Sequence, residues 1–278
     1  MSRHCPPKLA HWVGPANGTL GEALFADPQA DGTTNPQPHT LHVNDIRLST
    51  PPPTLDKEGF TVRVQARVMT SDTVHSQIHT DGFASVIAQV KAATGASQAI
   101  VFDFTVRGAG KGDSGTALAR DRQGRVTKRK ADRRIHCDYT TISGPRRAAE
   151  ALATHDPGAV LPRRFAIVNA WHPLVGPLRD HPLALCDART VAPESLRPVD
   201  IMPGGRLGQA YEVRHHDAQR WYYVRDMQPN ELLLFVGYDS LAPMRFVPHG
   251  AFEDAHAQAP VLPRASVEYR VLALFDDD

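Results

Sequence analysis

Hydrophobic and polar residues alternate with period two along much of this chain, and most clearly in its second half. Thr61 to Val68 (TVRVQARV) alternates as a half-buried strand does, and Ala99 to Val106 is apolar enough to be a buried one. Further strands are expected at Phe165–Trp171, Leu183–Val191, Gln209–His215, Trp221–Met227, Glu231–Tyr238, Met244–Val247 and Ser266–Phe275. Val, Tyr, Phe and Leu fill these runs, and Gly, Pro, Asn and Asp punctuate them at short intervals. Two stretches carry helical spacing instead. One runs from Phe83 through Lys91, with Asp81 as the expected cap and Gly95 as its stop. The other runs from Ser143 to Ala153, with Ser143 as cap and Pro145 in the first turn.

Many short strands and about two helices define a mainly β chain, expected to fold as a sandwich or jelly roll. Residues 1–58 are rich in Pro, Gly, Asn, Thr and His and are expected to wrap the core as irregular structure with few strands. Residues 59–278 then form a single domain, and no internal repeat is present.

Composition narrows the function classes. The formal net charge is +1, which disfavours nucleic acid or a membrane surface as the partner. Three cysteines (Cys5, Cys137, Cys186) lack C-x-x-C spacing, which fits a reducing compartment better than a disulfide framework. The first residues lack the apolar run of a signal peptide, and no stretch approaches membrane-spanning length. A soluble, cytoplasmic protein is expected.

His-x-Asp occurs three times, at His79–Asp81, His136–Asp138 and His215–Asp217. Asp81 is accounted for as a helix cap, and the third pair falls at a bend between strands, where solvated turn residues belong. The second pair differs. Ile135, Cys137 and Tyr139 alternate with His136, Asp138 and Thr140, so an extended strand projects His136 and Asp138 to one face. Two ligands from one strand need that geometry, although a simple hydrogen-bonded pair would use it equally well. His249 follows the apolar Met244–Val247 run and precedes Gly250, where the backbone can turn away. About 110 residues separate it from Asp138, room for the intervening strands of a jelly roll to bring the three together. Two imidazoles and one carboxylate on one side of an iron(II) ion leave positions open for oxygen and a ligand. Arg264 and Ser266, two apart at the start of the last strand, can grip one carboxylate between them. Arg270 has the same phase and is the rival for that role; a surface salt bridge with Glu268 is the plainer alternative.

Two other segments invite functional assignments. Gly108-Ala109-Gly110-Lys111-Gly112 follows a strand, but Lys111 is not followed by Ser or Thr and no helix starts there, which excludes a phosphate loop or dinucleotide turn. Arg120 to Arg134 is strongly basic and leads into His136. It reads as a solvated loop or, within 108–134, as an active-site flap that orders on substrate binding.

The stretches Phe102–Arg107, Ile135–Asp138, Asn169–Leu174, Pro182–Arg189, Trp221–Tyr223, Glu231–Phe235, Asp239–Ser240, Pro248–Phe252 and Arg264–Arg270 occur in the order of a known family. From about Phe102 onward the chain resembles the iron(II)/2-oxoglutarate-dependent hydroxylase/desaturase family of secondary metabolism. That family includes the cephamycin 7-methoxylation oxidase component, aspergillic-acid-type hydroxylases and proteins called gibberellin desaturases. The resemblance implies a double-stranded β-helix (cupin-like jelly roll) with a few flanking helices. It implies Fe(II), 2-oxoglutarate and O2 as cofactor and cosubstrates, and a small-molecule natural-product intermediate as substrate. His136, Asp138 and His249 would hold iron, Arg264 and Ser266 the cosubstrate. Asn169, Trp171 and Arg189, on expected core strands, would support the site or meet the substrate. Hydroxylation, desaturation and cyclisation all remain open. The chain departs from the family pattern at His172, Cys137 and Gly250, positions that could line the pocket. The alternative is a cupin-type metal protein that does not turn over 2-oxoglutarate.

Overall fold

The computed structural model describes residues 18–27, 36–66, 68–71, 73–108, 118–120, 126–128, 131–202, 207–259 and 261–276. In chain order the elements are β1 (Gly18–Phe25), β2 (Gln37–Asp45), β3 (Phe60–Val64), α1 (Val74–Gln77), α2 (Phe83–Thr94), β4 (Gln98–Arg107), β5 (Leu118–Arg120) and β6 (Val126–Lys128). Then follow β7 (His136–Cys137), α3 (Ser143–His155), β8 (Phe165–Pro173), β9 (Leu183–Cys186), β10 (Leu196–Ile201) and β11 (Gly208–Val213). The chain ends with β12 (Trp221–Tyr223), β13 (Glu231–Asp239), β14 (His249–Ala251), β15 (Glu253–Asp254) and β16 (Ser266–Leu274).

These strands form two sheets, the double-stranded β-helix expected from the sequence. One has the order β10-β11-β7-β14-β9-β12-β2-β1-β15, the other β3-β13-β8-β16-β4-β5-β6. Sequence-distant strands become neighbours. β14 lies between β7 and β9, and β16 between β8 and β4. The central strands β8 and β13 are buried at every residue, as expected for strands covered on both faces.

The two faces of β16 have different fates. Val267, Tyr269, Val271 and Ala273 join the core beneath α2, with Val86 and Val90. Leu272 and Leu274 pack with Ile100, Phe102 and Ile167 against Ala148, Ala151 and Leu152 of α3. Between these apolar ends, the alternate positions Ser266, Glu268 and Arg270 share the side on which Arg270 meets Asp138. Each large apolar side chain buried in such layers contributes roughly 1.5–3 kcal/mol.

Within residues 1–58, β1 and β2 pair along their whole length in the nine-stranded sheet. Their own alternation (Ala23, Phe25, Leu41 and Val43 buried) is masked by surrounding Pro and Gly. Asp81 does not cap α2. Val74–Gln77 and a π-helical turn at Ile78–Gly82 run continuously into it, so no helix begins there. Gly95 does stop α2, with φ +74°. Ser143 is the first helical residue rather than the cap. Thr140 Oγ1 accepts from the N–H groups of Ile142 and Ser143, while Ser143 Oγ accepts from Thr140 N–H. Met244–Val247 forms no strand, and β9 ends at Cys186, where Asp187 caps a short turn.

Candidate metal centre

β7 and β14 are short, and their pairing makes the site. His136 and His249 are directly opposed across this antiparallel pair, and their rings lie 4.5 Å apart. Asp138 follows His136 by two residues, and its Oδ1 lies 3.7 Å from His136 Nε2. Ligand atoms of His136, Asp138 and His249 all lie within 4.8 Å of one another. Among the described residues this is the one cluster of His, Cys, Asp or Glu that could hold a metal ion. His79–Asp81 and His215–Asp217 are not part of it; Asp217 is fully exposed.

The surroundings leave the donor atoms ready for an ion. His136 Nδ1 is 2.8 Å from the Arg134 carbonyl, and His249 Nδ1 is 3.0 Å from the Val247 carbonyl. A carbonyl can only accept, so each ring carries a proton on Nδ1, which leaves Nε2 as the nitrogen directed to a metal ion. Asp138 Oδ2 accepts from Asn169 Nδ2 at 2.7 Å and from Arg270 Nε at 3.3 Å. Burial alone would push the Asp138 carboxyl up, but Arg270, the two histidines and the Asn169 bond hold it well below the usual carboxylate range. Burial, aided by His136, keeps the His249 imidazole neutral to lower pH than usual. Two imidazoles and an ionised carboxylate form the donor set that fits a non-haem iron(II) ion.

Arg264 and Ser266 meet: Arg264 Nε is 3.5 Å from Ser266 Oγ. The Arg264 guanidinium lies over the Trp171 ring, 5.1 Å from its centroid, and donates to the His181 carbonyl. Its backbone N–H donates to Asp180 at 2.7 Å. Burial, with Arg107 nearby, lowers its pKa to about 9. A cation so destabilised is one for which an incoming carboxylate would be a favourable partner. Glu268 acts electrostatically on both His249 and Arg264, linking the two groups of residues. Gly108, with φ +76°, explains its own identity here, because a Cβ would strike the Arg264 carbonyl.

Other expected positions divide. Asn169 bonds the triad carboxylate, and Trp171 lies beneath Arg264. Arg189 does neither: it sits on the turn after β9, about half exposed, paired with Asp187 at 2.7 Å and Glu58 at 2.8 Å. Its core strand ends before it. His172 faces away from the triad, stacked on Tyr269, and Cys137 points to the opposite face of β7 from His136, among Ile135 and Val213. Gly250 is dictated by contact, since a Cβ would approach Ile135 and the Arg134 carbonyl to about 3 Å. The flap expected within 108–134 includes residues 109–117, 121–125 and 129–130, which lie outside the described residues; β5 and β6 in the same stretch continue the seven-stranded sheet beyond β4. The run entering His136 is tied down, with Arg133 paired to Glu22 at 2.7 Å. Arg270 and the Asp180–His181 turn were not assigned these positions from sequence. The phase of Arg270 on β16 was visible, whereas the turn carried no signal.

A β-helix with this donor set defines a class of non-haem iron oxygenases, and comparison with known proteins agrees. A family model described as an oxidoreductase/YMDC permease-like domain matches residues 18–274. Among the described residues no helix is long and apolar enough to cross a membrane. The Fe(II)/2-oxoglutarate-dependent dioxygenase nvfI of Aspergillus novofumigatus is 30% identical, covering 94% of each chain. The hydroxylase/desaturase efuI of Hormonema carpetanum is 29% identical over 87% of this chain and 85% of its own. A solved structure of the iron and alpha-ketoglutarate-dependent endoperoxidase NvfI superposes with a TM-score of 0.77 at 26% identity, covering 94% of this chain and 100% of that one. The chain belongs to the Fe(II)/2-oxoglutarate-dependent dioxygenase family.

Proposed function

We propose that the protein oxidises a C–H bond of a small-molecule natural-product intermediate, by hydroxylation, desaturation or ring formation. His136 Nε2, His249 Nε2 and Asp138 Oδ1 would hold iron(II), and Arg264 with Ser266 would hold the far carboxylate of 2-oxoglutarate. When bound, the ion and cosubstrate supply the oxidising power, with 2-oxoglutarate decarboxylated to succinate as O2 is consumed. The protein's part is positional. Backbone carbonyls fix both imidazole tautomers, Asn169 and Arg270 fix the carboxylate, and Trp171 supports the guanidinium. The observation that carries this assignment is the convergence of three ligand atoms within 4.8 Å from residues more than 100 positions apart. Free thiols at Cys137 and Cys186 accord with a reducing, cytoplasmic setting, and we place neither nucleic acid nor membrane among its partners.

Anaerobic titration with iron(II) and 2-oxoglutarate tests the assignment. A visible charge-transfer band should develop, vanish in His136→Ala and persist in His79→Ala. A band that survives His136→Ala would overturn the ligand set. Succinate formation coupled to oxygen consumption separates turnover from simple metal or ligand binding.

A further inference from the structure

Asp138 has two oxygens, and the structure treats them differently. Oδ1 faces His136 Nε2 at 3.7 Å. Oδ2 is occupied twice, by Asn169 Nδ2 at 2.7 Å and Arg270 Nε at 3.3 Å. Arg270 is itself fixed from other directions. Its NH2 lies 2.7 Å from Glu268 Oε1, and its NH1 lies 3.7 Å from Asp103 Oδ2 and 3.5 Å from Thr105 Oγ1. Burial works against a charged guanidinium there, but Asp138 and Glu268 outweigh it and hold Arg270 cationic.

We propose that Arg270, with Asn169, is a positioning residue that restrains Asp138 to bind the metal through one oxygen. A carboxylate with both oxygens free can close on a cation in bidentate fashion. Here bidentate closure would cost Oδ2 two hydrogen bonds in a largely buried site, one of them from a charged donor. The restraint keeps open coordination positions that a chelating 2-keto acid and oxygen need. It also explains why a second arginine in phase with Arg264 does not serve as another cosubstrate clamp: its guanidinium is already filled by carboxylates of the chain. This inference rests on the proposed metal centre and adds to it the control of ligand mode.

The test uses the full chain loaded with iron(II) under argon, comparing wild type, Arg270→Gln, Asn169→Ala and Arg264→Ala. Circular dichroism first establishes folding; if Arg270→Gln does not fold, Asn169→Ala carries the measurement. Infrared difference spectra with isotope-labelled aspartate read the ligand mode from the splitting of the carboxylate stretches. Wild type and Arg264→Ala should show the wide splitting of a one-oxygen ligand. Arg270→Gln should shift toward the narrow splitting of a two-oxygen ligand, and Asn169→Ala should shift the same way. In both latch variants the 2-oxoglutarate midpoint, from the visible chelate band, should rise about 10- to 100-fold, as for other residues supporting a metal ligand. An unchanged infrared pattern in folded latch variants overturns the proposal. So does a rise in the midpoint for Arg270→Gln with no change in splitting, which would make Arg270 part of the cosubstrate clamp. His136→Ala serves as the control: if it retains iron affinity, the metal-centre assignment itself fails, independently of the latch.

Discussion

The two faces of the seven-stranded sheet bury polar groups in opposite ways. On the inner face Asn169 is buried and Glu268 and Arg270 are largely enclosed, yet all three are charged or hydrogen-bonded, each answered by a neighbour. On the outer face, one residue or so along the same strands, His172 is fully buried among apolar side chains beside Tyr269. Its Nδ1 lies 3.0 Å from the Pro173 carbonyl, and its Nε2 has no partner among the described residues. Burial drives its pKa down to about 4, so it stays neutral. A buried ionisable group is tolerated either by pairing its charge or by giving that charge up. The paired charges of Asp138, Arg270 and Glu268 frame the candidate site, whereas the neutral His172 ring fills space in the apolar core.

The comparison can be broken from either side. The largest effect is expected from the inner face: His136→Ala should lower succinate formation by roughly 1,000-fold or more, beyond the 10- to 100-fold typical of a ligand's supporting partner. His172→Leu should leave turnover per folded molecule within about threefold; a larger loss would mean the outer face takes part in the chemistry. The outer face should instead control acid stability. An unfolded histidine takes up a proton near pH 6.5, whereas folded His172 does so only near 4. Between those values the unfolded chain binds the extra proton, so stability falls as pH drops from about 6.5 to about 4 and this contribution is flat below. The loss should approach about 3 kcal/mol in urea melts across that window, and His172→Leu should remove it.

Next in size is Arg264→Ala. Losing a charged, partly buried hydrogen-bonding group should cost about 1.5–3 kcal/mol, a 10- to 100-fold weaker 2-oxoglutarate midpoint with iron affinity unchanged. The smallest effect belongs to the exposed His-x-Asp pair. Asp217→Ala should change stability by less than about 0.5 kcal/mol and leave metal binding untouched, because Asp217 is fully exposed and only 3.9 Å contact links it to His215.

Legibility in the sequence followed the range of the physical cause. Strand phase is local, so β4, β8, β13 and β16 could be read directly, and the same phase placed His136 with Asp138 and Arg264 with Ser266. The Trp171 support and the Asn169 bond lay on a correctly read strand. What failed depended on partners far away in the chain. Asp81 looks like a cap only if the helical turn at Val74–Gly82 upstream is unknown. Arg189 looks internal only if β9 is assumed to continue past Cys186. The β1–β2 ribbon was hidden because its Pro and Gly suppress strand propensity, while its pairing with the sheet supplies the stability. Arg270 was visible as a rival clamp, yet its attachment to Asp138 depends on β16 and β7 facing one another across two sheets.

The cross-strand pairing of His136 with His249 carries one more consequence. Their spacing is set by backbone pairing between β7 and β14, inside a nine-stranded sheet held by its own hydrogen bonds. The apoprotein should therefore be a fully folded molecule with a preassembled cradle, unlike small zinc domains in which capture of the ion and folding are one event. Calorimetry of iron(II) uptake should then show little heat-capacity change. Chelators should strip activity without melting the fold, and returning the ion should restore activity without a refolding lag.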